Sequence, residues 1–336
     1  QDGQPVRSLI IKLDEGNILS SIRFKLLIPS TRNNLNEVLG TVLLRNIGYM
    51  TPETFQVMTD INGVRKIMLF QEDIRKEFLE KNRKHEGPIF EGDESLLWSF
   101  KNFENFELET LGLSRLTNRN WFLAGINSEI ITLKAYKKLQ LTYLHYSQNQ
   151  DLYKKHFLTP NDKSDYFTQY YLSLIAHTGL HAARPHNRKF YYNRFSREFE
   201  PIYYDGMFKL RFKELIHKDY IQPAIINNPL FIYKPNYQDI KNEKELLLNF
   251  KKRSLENDQY NLNFFNESLK RIKANEIEII AFIENQKKQD IFEKNINKDF
   301  ESYINSKDFL DIDQNVLVKI LYEEGTYNGY THTNNK

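Results

Sequence analysis

The most restrictive feature of the sequence is a set of short segments near its start in which apolar and polar residues alternate. Residues 8–13 (SLIIKL) and 21–28 (SIRFKLLI) flank the turn DEGN, and residues 54–72 (TFQVMTDINGVRKIMLFQE) contain Asn62-Gly63. Alternation with a period of two is typical of half-buried strands, and Asn-Gly favours a tight hairpin turn. These segments predict a small sheet within residues 1–75.

A single helix is predicted between these strands, over residues 30–48 (STRNNLNEVLGTVLLRNIG). Ser30 or Thr31 is the expected cap, and Gly48 is the expected stop signal. The apolar side chains that would form its buried face are Leu35, Val38, Leu39, Val42 and Leu43. Strands followed by a helix and a hairpin place residues 1–75 in the α+β class.

The rest of the chain divides into three parts by pattern. Residues 76–126 lack a clear period and contain the loop HEGPIFEGDES, so we expect a connector with an insertion. Residues 127–240 hold two apolar patterns of helical spacing, at 127–146 and 164–179, and are predicted to form a larger helical lobe. Residues 241–336 are rich in Lys, Asn and Glu and predict charged helices packed on that lobe.

Composition narrows the classes of function. The 47 Lys and Arg against 44 Asp and Glu give a net charge of +3, and acidic residues interrupt the basic runs, which argues against nucleic-acid binding. Because the chain has no Cys, thiolate catalysis and disulfides are excluded. No apolar run reaches the roughly 18 residues of a membrane span. The chain begins QDGQPVR, which is compatible with removal of an export leader. A location in the cytoplasm and one in the bacterial envelope are therefore both open. The sequence also leaves the oligomeric state open.

One polar stretch stands between two aromatic runs, at residues 181–206 (HAARPHNRKFYYNRFSREFEPIYYDG). Its pattern predicts a loop, a short strand, a turn and a second short strand that ends at Asp205-Gly206. Asn187 and Asp205 carry hard oxygen donors suited to Mg²⁺, and a hairpin between them would bring them together. Each is also an ordinary turn residue, so a purely structural role stays open. The aromatic runs are expected to pack beneath the loop.

A second candidate pair lies in the first 75 residues. Lys25 is in the middle of a predicted strand, with Phe24 and Leu26 on the opposite face, so its ammonium would project into a cleft. Glu37 lies on the following helix, where it could hold that ammonium towards phosphate oxygens. The alternative is two solvated surface charges. In this order along the chain, the four residues have the layout of a kinase-like phosphotransferase.

The sequence resembles the CotH family of bacterial spore-coat and envelope kinase-like proteins. Four blocks carry the resemblance, in order within residues 23–208: RFKLLIPSTRNNLNEVLGTVLLRNIGYMTPETF, INGVRKIMLFQEDIRKEFLEKN, GPIFEGDES and HNRKFYYNRFSREFEPIYYDG. The resemblance implies a two-lobed atypical protein-kinase fold with a small strand-rich lobe and a helical lobe. It also implies ATP and Mg²⁺ or Mn²⁺ as cofactors, and serine in a protein as the phosphate acceptor.

The resemblance also implies roles for particular residues. Lys25 matches the phosphate-binding lysine and Glu37 its helix partner. Gln71 and Glu72 match the hinge beside adenine, where backbone groups recognise the base. In the same way, Asn187 and Asp205 match the metal ligands.

The sequence departs from the family pattern at the catalytic base. The position five residues before Asn187 should hold an Asp, and here it is Ala182. His181 is adjacent and can accept a proton near pH 7, so we expect it to replace the base; His186 and His177 are further candidates. The alternative is a pseudokinase that binds nucleotide or partners without turnover.

Two arginines flank this loop. Arg184 and Arg188 are expected either to bind a phosphate or an acidic side chain, or to stack, exposed, on the tyrosine-rich hairpin.

Overall fold

The computed structural model of the protein describes residues 7–93, 114–148, 165–184, 186–210, 220–221, 224–225, 231–238, 240, 242–304, 316–323 and 326–333. The chain divides into two units, residues 1–280 and 281–336. The candidate site lies entirely in the first unit. None of the helices in the described ranges has the length and apolar composition needed to cross a bilayer.

The predicted N-terminal sheet is confirmed, with four antiparallel strands. They are β1 (Leu9–Lys12), β2 (Arg23–Leu27), β3 (Thr54–Ile61) and β4 (Val64–Glu72), in the order β1-β2-β4-β3. The β3–β4 hairpin turns at Asn62 and Gly63, whose φ angles of 52° and 82° are the positive values that such a turn requires. One face buries Phe24, Leu26, Met68 and Phe70. The opposite face carries Lys25 beside its cross-strand partner Gln71.

The predicted helix is present, but it begins later than expected. Residues Pro29–Arg32 form a separate 3₁₀ turn, and helix α1 spans Leu35–Asn46. Asn33 and Asn34 have φ angles of 53° and 56°, and these positive values separate the turn from the helix. The expected caps Ser30 and Thr31 therefore lie in the 3₁₀ turn.

A second antiparallel sheet follows, and it includes strands that the sequence did not predict. Its members are β5 (Ile89–Gly92), β6 (Ser114–Leu116), β7 (Lys189–Asn193) and β8 (Glu198–Ile202), in the order β6-β5-β7-β8. The predicted hairpin β7–β8 is confirmed. Strands β5 and β6 come from the segment expected to be a connector; β5 pairs with β7, so this segment is built into the same sheet.

Further helices lie between the strands along the chain and after them. They are α2 (Lys76–Lys81), α3 (Arg119–Phe122), α4 (Ile126–Gln148), α5 (Asp165–Ala176), α6 (Glu243–Lys251) and α7 (Asp258–Ile304). The helices predicted at 127–146 and 164–179 are confirmed as α4 and α5. Within the first unit, α7 buries Phe265, Leu269, Ile272 and Ile279.

The prediction that residues 241–336 are all helical is wrong at its end. Strands β9 (Val316–Glu323) and β10 (Thr326–Thr333) form an antiparallel hairpin. The signal for a strand was the run of β-branched and aromatic residues in VLVKILYE, a composition typical of strands. Two four-stranded antiparallel sheets with separate helices place the described protein in the α+β class, as predicted.

Candidate functional site

The structure brings Lys25 of strand β2 to the end of the β7–β8 hairpin. Lys25 Nζ donates a hydrogen bond of 2.9 Å to the hydroxyl of Tyr204, and it lies 4.7 Å from the centre of that ring. Tyr203 follows β8 directly, and Tyr204 lies between Tyr203 and Asp205. Lys25 is therefore connected to the Asp205-Gly206 loop through Tyr204.

The predicted ion pair between Lys25 and Glu37 does not form in the structure. Glu37 is fully buried, and its carboxylate oxygens accept hydrogen bonds from Tyr203 Oη at 2.6 Å and from Gln71 Nε2 at 3.3 Å. Burial raises the pKa of Glu37 to about 8, so its carboxyl is protonated at neutral pH. A neutral Glu37 cannot act as the charged partner of Lys25.

The structure also corrects the hinge assignment of Gln71 and Glu72. Gln71 lies in a strand that is paired on both sides, opposite Lys25 and Thr54, and its side chain is directed to Glu37. The carboxylate of Glu72 contacts Lys81 at 2.6 Å, and its backbone N–H donates to Glu53. The backbone of Gln71 and the backbone N–H of Glu72 are therefore used inside the fold and are not free to recognise an adenine ring.

Asn187 and Asp205 come together at the base of the loop. Asn187 is 4% exposed, and its amide nitrogen lies 2.9 Å from the backbone carbonyl of Asp205 and 3.1 Å from those of Tyr204 and His181. The amide nitrogen is thus used to hold the loop, and the amide oxygen is the atom of Asn187 suited to a cation. Asp205 has a φ of 47°, in the left-handed region.

The Asp205 carboxylate faces a cation from the N-terminal part of the chain. Its Oδ2 lies 3.2 Å from Arg32 Nη2 and 3.8 Å from His181 Nδ1. Arg32 ends the 3₁₀ turn before α1. The carboxylate is therefore positioned by residues from two separate segments.

The orientation of His181 follows from its hydrogen bond to the loop. Its Nδ1 lies 2.7 Å from the backbone oxygen of Asp205. A carbonyl oxygen can only accept, so Nδ1 carries the hydrogen and, in the neutral ring, Nε2 carries the lone pair. The ring of His186 is 5.7 Å away. His181 can therefore serve as a proton acceptor through Nε2.

The third histidine candidate belongs to the core. His177 is fully buried, with Nδ1 at 2.6 Å from Ser173 O and Nε2 at 3.0 Å from Tyr237 Oη. Burial lowers its pKa to about 4. His177 is thus a neutral structural residue, and Ala182, which is also buried, offers no polar group at the expected position of the base.

The two arginines of this loop, Arg184 and Arg188, differ in their exposure to solvent. Arg188 is buried, and its Nε donates to the backbone oxygen of Ala183, so the expectation of an exposed, stacking side chain is wrong for it. Arg184 is exposed at the end of the 3₁₀ turn Leu180–Ala183.

Sequence reasoning missed a second lysine in the site. Lys189 is buried; its Nζ forms an ion pair with Glu91 and lies 4.3 Å from the centre of the Tyr204 ring. Burial, followed by the neighbouring charge of Lys25, lowers the pKa of Lys189 to about 7. The available signal was a lysine at the head of the aromatic strand KFYY, where a charged side chain requires a partner.

The result is a cluster of cations around one ring. Lys25, Arg32 and Lys189 lie 4.7, 5.9 and 4.3 Å from the Tyr204 ring centre. Lys189 pairs with Glu91 and Arg32 with Asp205. We call these three cations with Tyr204 the basic cluster. When Lys189 is protonated, three cations face two carboxylates, which favours an anionic ligand.

Other features of the described residues lie away from this cluster. The described ranges contain no group of three or more His, Asp or Glu side chains able to hold a metal by themselves. A cavity of about 520 Å³ is lined by residues of the α1 start and by α7, and it shares no residue with the basic cluster.

Comparison with known proteins adds no family assignment. No model of a protein family matches the chain, and no curated protein sequence matches it. The functional proposal therefore depends on the geometry of the site and on the sequence motifs.

Proposed function

We propose that this protein is a CotH-type phosphotransferase that uses ATP with Mg²⁺ or Mn²⁺ and acts on serine in a protein or on another envelope polymer. The observation that carries the proposal is the basic cluster, which lies beside Asp205 and Asn187. A two-lobed kinase-like arrangement belongs to the same proposal. Its small lobe would be the β1–β4 sheet with α1, and its large lobe would carry the β5–β8 sheet.

The basic cluster fits the phosphate groups of a nucleotide. Lys25 and Lys189 approach Tyr204 from two different sheets, and Arg32 approaches from the turn before α1. Cations in a partly buried site form strong, short hydrogen bonds to phosphate oxygens. A phosphate oxygen would take the place of the Tyr204 hydroxyl on Lys25. The role of these residues is to bind and orient the phosphates.

Asn187 and Asp205 fit a single divalent cation that is shared with the phosphates. Mg²⁺ is commonly bound by one or two protein oxygens, with phosphate oxygens and water completing its coordination. The Asp205 carboxylate and the Asn187 amide oxygen would supply those two ligands. When bound, such a metal neutralises charge on the transferred phosphoryl group. Arg32 orients the carboxylate at 3.2 Å.

His181 is the residue best placed to receive a proton. Its Nδ1 is fixed by the backbone of Asp205, which leaves Nε2 as the acceptor. Because the transition state of phosphoryl transfer demands little of a base, a histidine in place of the aspartate is compatible with turnover.

Thermal unfolding with ATP and Mn²⁺ tests the proposal. We expect ATP·Mn²⁺ to raise the melting temperature of the wild type, since a ligand bound by the folded state stabilises it. Lys25→Met and Asp205→Ala should abolish this shift and also nucleotide turnover. Lys12→Met is the matched control, because Lys12 is exposed in the same sheet and should leave both unchanged. Unchanged turnover in Asp205→Ala would exclude the metal assignment.

A pseudokinase is the second candidate, and the buried Ala182 favours it. In this case ATP·Mn²⁺ would stabilise the fold while no phosphate passes to casein or to a lysate treated with the enzyme. Transfer that is lost in His181→Ala would decide in favour of the phosphotransferase.

A further inference from the structure

The loop that carries Asp205 has a backbone conformation that needs external support. Asp205 and Met207 have φ angles of 47° and 50°. Side chains with a Cβ rarely adopt this left-handed region, at a cost of roughly 1 kcal/mol or more each. Such a conformation persists only when the surroundings fix it.

A chain of buried hydrogen bonds connects this loop to α1. The N–H of Gly206 donates to Tyr203 Oη at 2.8 Å, and the same hydroxyl donates to Glu37 Oε2 at 2.6 Å. Glu37 and Tyr203 are both fully buried. Water does not compete for these bonds, so their geometry is held tightly.

Asn33, just before α1, and Asn36, at its start, hold the following residues of the loop as well. Asn33 Nδ2 lies 3.0 Å from the backbone oxygens of Met207 and Phe208, and Asn36 Oδ1 accepts from the N–H of Leu210 at 3.1 Å. The Phe208 ring stacks on Tyr203, with ring centres 4.9 Å apart. The loop is therefore bound to α1 at several successive residues.

We propose that Glu37 is a positioning residue, which holds the Asp205-Gly206 loop through the Tyr203 hydroxyl, and that it is not the charged partner of Lys25. The contribution to catalysis rests on the proposed phosphotransferase function, because Asp205 is the metal ligand of that proposal. The mechanical part, the support of the loop, stands on the hydrogen bonds alone. It requires an oxygen acceptor at position 37 and requires no negative charge there.

The conservative variant Glu37→Gln separates these two roles. A glutamine keeps a carbonyl oxygen that accepts from Tyr203. Its NH₂ can donate to the Gln71 amide oxygen, which is buried and has no hydrogen-bond partner among the described residues. Glu37→Ala and Tyr203→Phe each break the chain of bonds. Tyr191→Phe is the matched control, because it removes a different tyrosine hydroxyl, bonded at 2.8 Å to His85 O.

Hydrogen exchange of the Gly206 amide, followed by mass spectrometry with residue-level fragmentation, is the direct measurement. We expect exchange about tenfold or more faster in Tyr203→Phe and Glu37→Ala, since a buried donor loses its fixed acceptor or that acceptor loses its support. Glu37→Gln and Tyr191→Phe should stay within about twofold of the wild type. If Glu37→Ala does not fold, Tyr203→Phe and Glu37→Gln decide the question together.

Three outcomes would overturn the proposal. The first is that the Gly206 amide exchanges in Tyr203→Phe at the same rate as in the wild type. The second is that it exchanges as fast in Glu37→Gln as in Glu37→Ala. The third is that it exchanges faster in the Tyr191→Phe control than in the wild type. Turnover is measured in parallel, and kcat should fall in Tyr203→Phe and be retained in Glu37→Gln. If Glu37 were the charged partner of Lys25, kcat would fall in both Glu37→Gln and Glu37→Ala. Absence of turnover in the wild type would refute the phosphotransferase, while the exchange data would still decide the support of the loop.

Discussion

Replacement of Glu37 by Gln is predicted to change how the stability of the protein depends on pH. Burial raises the pKa of Glu37 from its ordinary value of 4.5 to about 8. Between these two values the folded protein binds a proton that the unfolded chain releases. The free energy of unfolding contributed by Glu37 therefore falls as the pH rises through this range.

The size of the effect follows from the pKa difference. Inside the window, each pH unit changes the free energy of unfolding by about 1.4 kcal/mol per proton. From pH 5 to pH 7 Glu37 should cost the wild type about 3 kcal/mol, a term that a glutamine does not have. Glu37→Gln should therefore be close to the wild type at pH 5 and about 3 kcal/mol more stable at pH 7.

Urea unfolding at pH 5, 6 and 7 measures this difference. Tryptophan fluorescence is a suitable signal because Trp121 is buried. The comparison of wild type with variant is essential, since His177 titrates in the opposite direction within part of the same window and is common to both proteins. A difference between the two proteins that stays constant across the three pH values would refute the reasoning, because it would mean that Glu37 is already ionised in the folded state.

Three further predictions test other parts of the structure. Gly40→Ala should destabilise the protein by about 1–3 kcal/mol in urea unfolding, because the added Cβ would lie 2.1 Å from the Phe208 ring. Alanine is normally the better helix former, so equal or greater stability of the variant would contradict this packing. Because burial lowers the pKa of His177 to about 4, its contribution to the free energy of unfolding should fall by about 1.4 kcal/mol per pH unit between pH 6.5 and 4. The stability of the wild type relative to His177→Gln should fall by that amount, and parallel acid-unfolding curves would show that the imidazole is not held neutral. Lys189→Met should weaken ATP·Mn²⁺ binding about tenfold by calorimetry, because the proposed phosphate site would lose a cation. Unchanged affinity would place Lys189 in a structural pair with Glu91 only.

Local patterns predicted most of the secondary structure correctly. The Asn62-Gly63 hairpin, the β7–β8 hairpin and helices α4 and α5 follow from periods of 2 and 3.6 residues and from turn chemistry. These signals depend on neighbours in the chain, so they are readable without tertiary contacts. Strands β5 and β6 were missed because each has only three or four residues, too few to show a period.

The members of the candidate site were predictable in part, and their contacts were less so. Lys25 was placed correctly on the face opposite Phe24 and Leu26, because side chains alternate along a strand. The partner of Lys25 was not predictable. Glu37 has the residue type and the spacing of an ion-pair partner, yet its protonation is set by complete burial among groups distant in sequence.

The sequence by itself determined the N-terminal strands, the β7–β8 hairpin, helices α4 and α5, and the residue types that can bind phosphate and metal. Only the tertiary structure decided which group meets which. Tyr203 and Tyr204 are neighbours in the aromatic run, but the former bonds to Glu37 and the latter to Lys25. Consecutive side chains of an extended chain point to opposite sides, so each meets whatever the fold places there. Hydrogen bonding and desolvation depend on those distant neighbours, and local pattern contains no record of them.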